Sequence, residues 1–350
     1  MDRLNKIIEN YPVELKMLLV CCGSERWNVE DMLPARTLQP KGSIAHKAID
    51  WDLFYQWMRR HRVAPAVYRY IKKNPAVLPE VVVKRVEERY REVVLRNIML
   101  LAETIKVSNL LNSASVINLP FKGISLSFLL YGNINGREIR DIDILIEKRD
   151  IIKSVELLLN NGFVLLQNIK NKEKLFKEFY PVVLKDKELP YTIELHRRLL
   201  PWEGLGNELI PTFFRNSIKI NTEGYAISAP PAAEHAEFAI YHGTKHLWSG
   251  LQWLNDLEHA YKVTGSSNSF CPHAIDLSVS LYNCLYGKKT DSDNNKFYGW
   301  KKICLKSIGV FKESELKKLF YKIQYFRMTV WMNKNRKRFK IKYLLEFIFR

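Results

Sequence analysis

The stretch from about residue 116 to residue 198 constrains the fold most, because short β-branched segments alternate there with helical ones. The runs VINLPF and DIDILIE predict two strands, separated by a helix that ends at Gly132. A second helix over 151–161 leads to the strand FVLLQNI, and two segments that flank residues 186–188 predict a hairpin. The stretch therefore predicts an α/β unit of about five strands.

Helical periodicity surrounds this unit on both sides. Apolar residues recur at spacings of three and four from Val82 to Asn97, and helical texture returns after Pro201, with its longest segment from Ala232 to Val263. We therefore expect an α+β fold, with a mixed sheet of about five strands flanked by N- and C-terminal helical regions. The expected boundaries are an N-terminal helical region 1–110, an α/β core 111–200, a helical region 201–265 and a basic C-terminal helical region 266–350.

Two aspartates, Asp141 and Asp143, lie in the most regular predicted strand. Residues i and i+2 of a strand project from the same face, about 6.5 Å apart along the chain. Two carboxylates this close repel each other unless a cation or a proton lies between them, and Mg²⁺ is the usual cation. The alternative is a strand end with two solvated aspartates.

Residues before and after this strand favour the metal interpretation. Upstream, a strand leads into Lys122-Gly123 and then into a helix that contains Ser125, so glycine and free helix N–H groups could approach a triphosphate. Downstream, Glu194 and His196 share one face of the strand YTIELH. Glu194 could thus be a third carboxylate beside the first two, while His196 either lines the site or supports its strand.

The order of these segments resembles the nucleotidyltransferase superfamily typified by DNA polymerase beta. More closely, it resembles the bacterial uncharacterised nucleotidyltransferase family, over roughly residues 10–262. The similar segments are WDLFYQWMRRHRVAPAVYRYI, FKGISLSFLL, REIRDIDILI, IELHRRL and HGTKHLWSGLQWLNDL. The chain departs from the superfamily at Gly123-Ile124-Ser125, where Gly-Gly or Gly-Ser is usual, and this spacing weakens Ser125 as a phosphate ligand.

The resemblance implies a nucleotidyltransferase core at 111–200 and a two-metal reaction. Asp141, Asp143 and Glu194 would be catalytic and would hold two Mg²⁺ ions, with Mn²⁺ as an alternative. A nucleoside monophosphate would pass from a nucleoside triphosphate, ATP before others, to a hydroxyl of a small molecule, sugar or protein. The other interpretations are an RNA-terminus nucleotidyltransferase and a non-catalytic member that binds a nucleotide or partner. The presence of all three carboxylates argues against the non-catalytic member.

The resemblance also implies a set of nucleotide-binding residues. Region 201–265 would face the nucleotide. Arg137 could instead pair with Glu138 or Glu147, and Lys122 could cap local carbonyl groups. The predicted nucleotide-binding residues are Lys122, Gly123, Ser125, Arg137, Arg140, Lys245 and His246.

The net charge of +18 is concentrated near the C-terminus. Residues 301–350 hold 15 basic and 3 acidic side chains, against 40 and 34 in residues 1–300. A basic amphipathic helix is expected over about 334–348. It could pack on the protein, contact an anionic membrane or a partner protein, or bind nucleic acid, which we favour least.

The cysteines and the apolar runs bear on location. Five cysteines, an odd number without CxxC spacing, indicate reduced thiols and a cytoplasmic protein. No run approaches the 18 or so uninterrupted apolar residues of a membrane span, and the start does not have the pattern of a signal peptide.

Overall fold

A computed structural model describes most of the chain, and its helices account for most of the described residues. The described ranges are 3–27, 32, 49–75, 77–167, 181–199, 207–222, 224–264, 272–287, 297–310, 323–324 and 327–328. The α-helices within these ranges are α1 (Arg3–Glu9), α2 (Val13–Cys21), α3 (Trp51–His61), α4 (Ala64–Lys73), α5 (Glu80–Ser113), α6 (Gly123–Tyr131), α7 (Ile151–Asn160), α8 (Ile210–Arg215), α9 (Ala232–Lys245), α10 (Leu251–Thr264), α11 (Pro272–Tyr286) and α12 (Tyr298–Ile308).

The central sheet is mixed and has five strands in the order β1-β2-β5-β4-β3. Strands β2 and β5 run parallel, and the other neighbouring pairs are antiparallel. The expected α+β fold with flanking helices is therefore confirmed. The strands are β1 (Asn118–Phe121), β2 (Ile142–Ile146), β3 (Phe163–Leu165), β4 (Val182–Asp186) and β5 (Thr192–His196).

The long helix α5 joins the helical region to the sheet, because its two halves are buried in different cores. Val86 and Val93 pack in a core made mainly by helices. Leu100 and Val107, further along the same stripe, pack in a second core with strand residues such as Ile144. A single amphipathic stripe thus fixes the helical region against the sheet.

A second sheet, the hairpin of β6 (Ile218–Thr222) and β7 (Tyr225–Ala229), lies within 201–265 beside the helices that the sequence predicts there. Gly224, with φ of 87°, permits the tight turn between the two strands. Ile227 and Ala229 are buried while Ala226 and Ser228 are more exposed, so β7 has the period of two that indicates a strand.

The segment Ala232–Val263, expected as one helical stretch, forms two helices that pack against each other, α9 and α10. Leu247 and Trp248 adopt φ values of 55° and 51° in the reversal between them. A Cβ atom at Gly243 would lie 2.5 Å from Trp248 Cζ3. Because Gly243 has no side chain, the Trp248 ring can be buried against α9, and its burial stabilises the reversal.

Three expectations concern cysteines, membranes and the C-terminus. Cys21, Cys22, Cys284 and Cys304 are free thiols, as expected, whereas Cys271 lies outside the described residues. Within the described ranges, each helix is too short or too polar to cross a membrane. The basic helix expected over 334–348 also lies outside the described residues. The domain boundaries and the cytoplasmic location stay predictions.

Candidate active site

The pairing of β2 with β5 brings two carboxylates together. Asp143 lies opposite Glu194 in the parallel register, so both residues occupy the same level of adjacent strands. Among the described residues, Asp143, Glu194 and His196 form a group whose potential ligand atoms lie within 4.8 Å of one another. The structure therefore brings together two of the three predicted carboxylates and adds a histidine.

Asp143 is buried and has two cationic or hydrogen-bonding neighbours. Its Oδ1 atom lies 2.5 Å from Lys122 Nζ and 2.8 Å from His196 Nε2. His196 Nε2 is also 3.2 Å from Glu194 Oε2, so the ring lies between the two carboxylates. Burial alone would raise the pKa of Asp143, but Lys122 and His196 outweigh it and hold that pKa below its usual range.

Asp141, the third predicted carboxylate, precedes β2 and lies outside that close group, although it lines the same cavity. Burial raises the pKa of Asp141 to about 6, and the negative charges of Asp143 and Glu194 add to the effect. Lys122 and Arg62 oppose this shift. Asp141 is thus a carboxyl group in the field of the other two, and a bound cation would lower its pKa again.

The turn at Lys122-Gly123 is held closely against the neighbouring loop. Lys122 adopts φ of 57° and ψ of −134°, a conformation that costs a non-glycine residue about 1–3 kcal/mol. Its backbone N–H donates to His235 Nε2 at 2.9 Å. A Cβ atom at Gly123 would lie 2.9 Å from Ile139 Cγ2. Glycine is therefore required here by close packing, whatever its part in phosphate binding.

Ser125 does not reach the cavity in this structure. Its hydroxyl is buried and donates to the Pro120 carbonyl oxygen at 2.6 Å, and the residue is absent from the cavity lining. The hydroxyl thus fixes the start of α6 against the end of β1.

Arg137 forms a buried ion pair with a residue distant in sequence. Its Nη2 atom lies 2.9 Å from Asp256 Oδ2, on α10, and not against Glu138 or Glu147 as the alternative proposed. Asp256 also accepts a hydrogen bond from the Tyr131 hydroxyl at 2.7 Å. The pair therefore connects the helical region to the loop before β2.

Asn97 of α5 holds the same loop in place. Its Nδ2 atom donates to the carbonyl oxygens of Ile134 and Arg137, each at 2.9 Å, and its Oδ1 accepts from the Ile139 N–H at 3.3 Å. The sequence pattern placed Asn97 on the apolar stripe of a helix and gave no sign of this function. Arg140, at the end of the loop, is exposed and lines the cavity.

The end of α9 contributes Lys245 and His246 to the lining of the cavity, and their binding of a nucleotide stays a prediction. Burial, together with the charge of Lys122, lowers the pKa of Lys245 to about 7. The His246 ring stacks on Trp253, with centroids 5.0 Å apart and an interplanar angle of 16°. Burial lowers the pKa of His246 well below its usual value, so its imidazole is neutral at pH 7.

Arg62 is a cavity residue that the sequence analysis missed. It ends α3 in the left-handed conformation, and its guanidinium carbon lies 5.5 Å from the Trp253 ring centroid. Burial lowers the pKa of Arg62 to about 10, and the charges of Arg137 and Arg140 add to this effect. The only sequence signal was the basic run Arg59-Arg60-His61-Arg62 at the end of a helix.

The three carboxylates, His196, Lys245, His246 and Arg62 line one cavity of about 400 Å³. Its donor set fits a divalent cation: Asp143 and Glu194 offer the oxygen ligands that Mg²⁺ and Mn²⁺ prefer, with the His196 nitrogen nearby. Its size is within the range of small-molecule sites. The basic residues in the lining are Arg62, Lys122, Arg137, Arg140 and Lys245.

Paired carboxylates on adjacent strands, a glycine turn at a helix start and a cation-lined cavity are compatible with a transferase that acts on nucleotides. The family model described as "uncharacterised nucleotidyltransferase" matches residues 47–276, more than half of the chain. The chain therefore belongs to this nucleotidyltransferase family. Among curated proteins, none matches the sequence.

Proposed function

We propose that the protein transfers a nucleoside monophosphate from a nucleoside triphosphate to a hydroxyl group, with Mg²⁺ as cofactor. The observation that carries this proposal is the register of β2 and β5, which aligns Asp143 with Glu194 beside the Lys122 ammonium. Two carboxylates at this separation suit the binding of divalent cations that are shared with phosphate oxygens.

The basic residues of the cavity would bind the triphosphate. Lys122 lies at the carboxylates and is the closest cation to the proposed reaction centre. Arg62 and Arg140 line the same space and bring further positive charge. Because Asp256 already neutralises much of the charge of Arg137, we assign Arg137 chiefly to fixing the loop.

Asp143 and Glu194, with Asp141 beside them, would hold the Mg²⁺ ions. The bound ions would neutralise phosphate charge and lower the pKa of the acceptor hydroxyl. The acceptor oxygen would attack the α-phosphorus in line, forming one P–O bond as the bond to the β-phosphate oxygen breaks. Pyrophosphate leaves, and the hydroxyl proton passes to a site carboxylate or to solvent.

His196 would orient the carboxylates in this reaction. Its Nε2 atom lies within hydrogen-bonding distance of both Asp143 and Glu194. A ring in this position keeps the two carboxylates at a fixed separation. Correct spacing matters because the proposed catalysis consists mainly of positioning and electrostatic stabilisation.

Labelled nucleotides test the proposal directly. The protein is incubated with each α-labelled nucleoside triphosphate and Mg²⁺, alone and with cell extract, and both label transfer and pyrophosphate are measured. We expect transfer that chelation by EDTA abolishes and that Asp143→Asn lowers by about 100-fold or more. Asp52→Asn, which changes an exposed carboxylate on α3, is the matched control and should retain full activity.

The same assay separates the other two functions. An RNA-terminus nucleotidyltransferase would transfer label to added RNA, and its affinity for RNA would fall steeply with salt. A non-catalytic member would bind nucleotide without releasing pyrophosphate. Equal label transfer by wild type and Asp143→Asn, or no transfer with any of the four nucleotides, would refute the proposed reaction.

A further inference from the structure

Gln252, in the first turn of α10, is an unusual residue because it is buried without polar partners. Gln252 is among the residues that line the cavity, and it is 3% exposed. Neither the Oε1 nor the Nε2 atom has a hydrogen-bond partner among the described residues. An unpaired buried carboxamide costs free energy, so its donor and its acceptor are expected to meet a ligand.

Gln252 lies on α10, whereas Asp143 and Glu194 lie on strands of the central sheet. Asp256 lies one helical turn after Gln252 on the same face of α10, and it pairs with Arg137. Trp253, the next residue, contacts Arg62 and His246. On the central sheet, the Asp143 carboxylate contacts Lys122.

The aromatic surroundings of Gln252 suit a planar ligand. The Trp253 and His246 rings stack on each other. The centroid of the His242 ring lies 5.9 Å from that of Trp253, with an interplanar angle of 81°. Burial lowers the pKa values of both histidines well below their usual range, so they are neutral rings. Stacking between rings and a carboxamide aimed at a ring edge are the two contacts by which proteins bind nucleobases.

We propose that Gln252 binds the edge of the nucleobase of the nucleoside triphosphate and is the specificity-determining residue of this cavity. The inference rests on the proposed function, since it assumes that the triphosphate of the same molecule reaches the carboxylates. A carboxamide offers one donor and one acceptor side by side, which matches the adjacent acceptor and donor on a base edge. Base-free phosphate compounds cannot make this contact.

Binding of unreactive analogues tests the assignment without turnover. Dissociation constants are measured by calorimetry, with Mg²⁺, for the α,β-methylene triphosphates of adenosine, guanosine, cytidine and uridine. Ribose 5-triphosphate and inorganic tripolyphosphate are the base-free probes. For wild type we expect at least one nucleotide to bind about tenfold or more tightly than ribose 5-triphosphate. Gln252→Met should lose most of that difference, because only ring stacking against the base then remains, and it should bind tripolyphosphate as wild type does.

Thermal unfolding of the ligand-free protein gives a second, independent measurement. Gln252→Met removes two unpaired polar atoms from a buried position, so its Tm should equal or exceed that of wild type. The matched control is Asn118→Leu, because the buried Asn118 carboxamide donates to Asn112 Oδ1 at 2.9 Å. This control should lower the Tm and leave base discrimination unchanged. Gln252→Leu serves if the methionine variant does not fold.

The outcomes separate the two proposals. The role of Gln252 is overturned if Gln252→Met keeps the full difference in affinity between the nucleotide and ribose 5-triphosphate, or if its Tm falls as that of Asn118→Leu does. The role of Gln252 is also overturned if wild type binds all four nucleotides no more tightly than ribose 5-triphosphate. That result leaves the proposal of nucleotidyl transfer standing. Failure of wild type to bind any nucleotide or tripolyphosphate overturns both proposals.

Discussion

The buried ion pair between Arg89 of α5 and Glu138 predicts how much stability the protein loses when one of the two charges is removed. Arg89 Nη2 lies 2.5 Å from Glu138 Oε1, and their side chains are only 6% and 1% exposed. Arg96 Nη1 is 3.5 Å from the same oxygen, but its side chain is 30% exposed. Removing the Glu138 charge leaves the buried Arg89 paired only with Glu92, at 2.8 Å, whose side chain is 60% exposed. Breaking a buried pair in this way typically costs about 3–5 kcal/mol.

We therefore expect Glu138→Gln to lower the free energy of unfolding by about 3 kcal/mol or more. The double variant Arg89→Met/Glu138→Met should lie within about 1 kcal/mol of wild type or above it, because apolar side chains replace both charges. Glu80→Gln is the control. It removes the exposed partner of Lys84 on the same helix and should cost about 0.5 kcal/mol or less.

Urea denaturation of all four proteins, followed by circular dichroism, measures these differences. We expect a large loss in the free energy of unfolding for Glu138→Gln and its recovery in the double variant. If Glu138→Gln costs no more than Glu80→Gln, or if the double variant is as unstable as the single one, then burial does not make this pair costly to break.

Three further predictions concern the site. Gly123→Ala should lower the free energy of unfolding by about 1–3 kcal/mol in urea denaturation, because the alanine Cβ would collide with Ile139. Gly299→Ala, in α12 where a Cβ meets no atom within 4 Å, should raise the free energy of unfolding by about 0.5–1 kcal/mol. Because burial lowers the pKa of Lys245 to about 7, the unfolded state binds more protons from about pH 7 to pH 10. Stability should rise with pH there, and Lys245→Met should remove that part of the rise. Arg62→Gln should weaken tripolyphosphate binding about tenfold in calorimetry, whereas the exposed Arg59→Gln should not.

The strands and the carboxylate pair could be predicted because their signals are local. Alternation in DIDILIE and YTIELH identifies strands, and the period of two places Asp143 and Glu194 on defined faces. Burial of Ile142, Ile144 and Ile146 follows from the same pattern, and the structure confirms it. The adjacency of β2 and β5 then brings the two acids together.

The partners of these residues could not be predicted, because they depend on packing between distant segments. Arg137 and Asp256 are 119 positions apart in the sequence, and Lys122 and His235 are 113 positions apart. The sequence around each residue gives no sign of its partner. The direction of a hydroxyl group cannot be predicted from the sequence either. Ser125 is among the predicted phosphate ligands, but its hydroxyl donates to the Pro120 carbonyl oxygen. Tertiary contacts, not local spacing, decide these positions.

The reversal between α9 and α10 shows a second limit of the sequence. Helical periodicity continues across it, and its only local mark is the pair Ser249-Gly250, without a proline or a longer polar loop. The break depends on the fit of the Trp248 ring against Gly243, a contact that only the folded chain defines. The turn also places Gln252 and Trp253 at the cavity, and so the residues of the proposed base site depend on it.

The position of the transferred label tests the central claim most directly, because it identifies the phosphorus that is attacked. The protein is supplied with Mg²⁺, cell extract and the preferred nucleotide, labelled at the α-phosphate or at the γ-phosphate. Attack next to the carboxylates Asp143 and Glu194, as we propose, predicts that the α label enters the acceptor and the γ label leaves as pyrophosphate. Transfer of the γ label, with release of the nucleoside diphosphate, would contradict nucleotidyl transfer at this site.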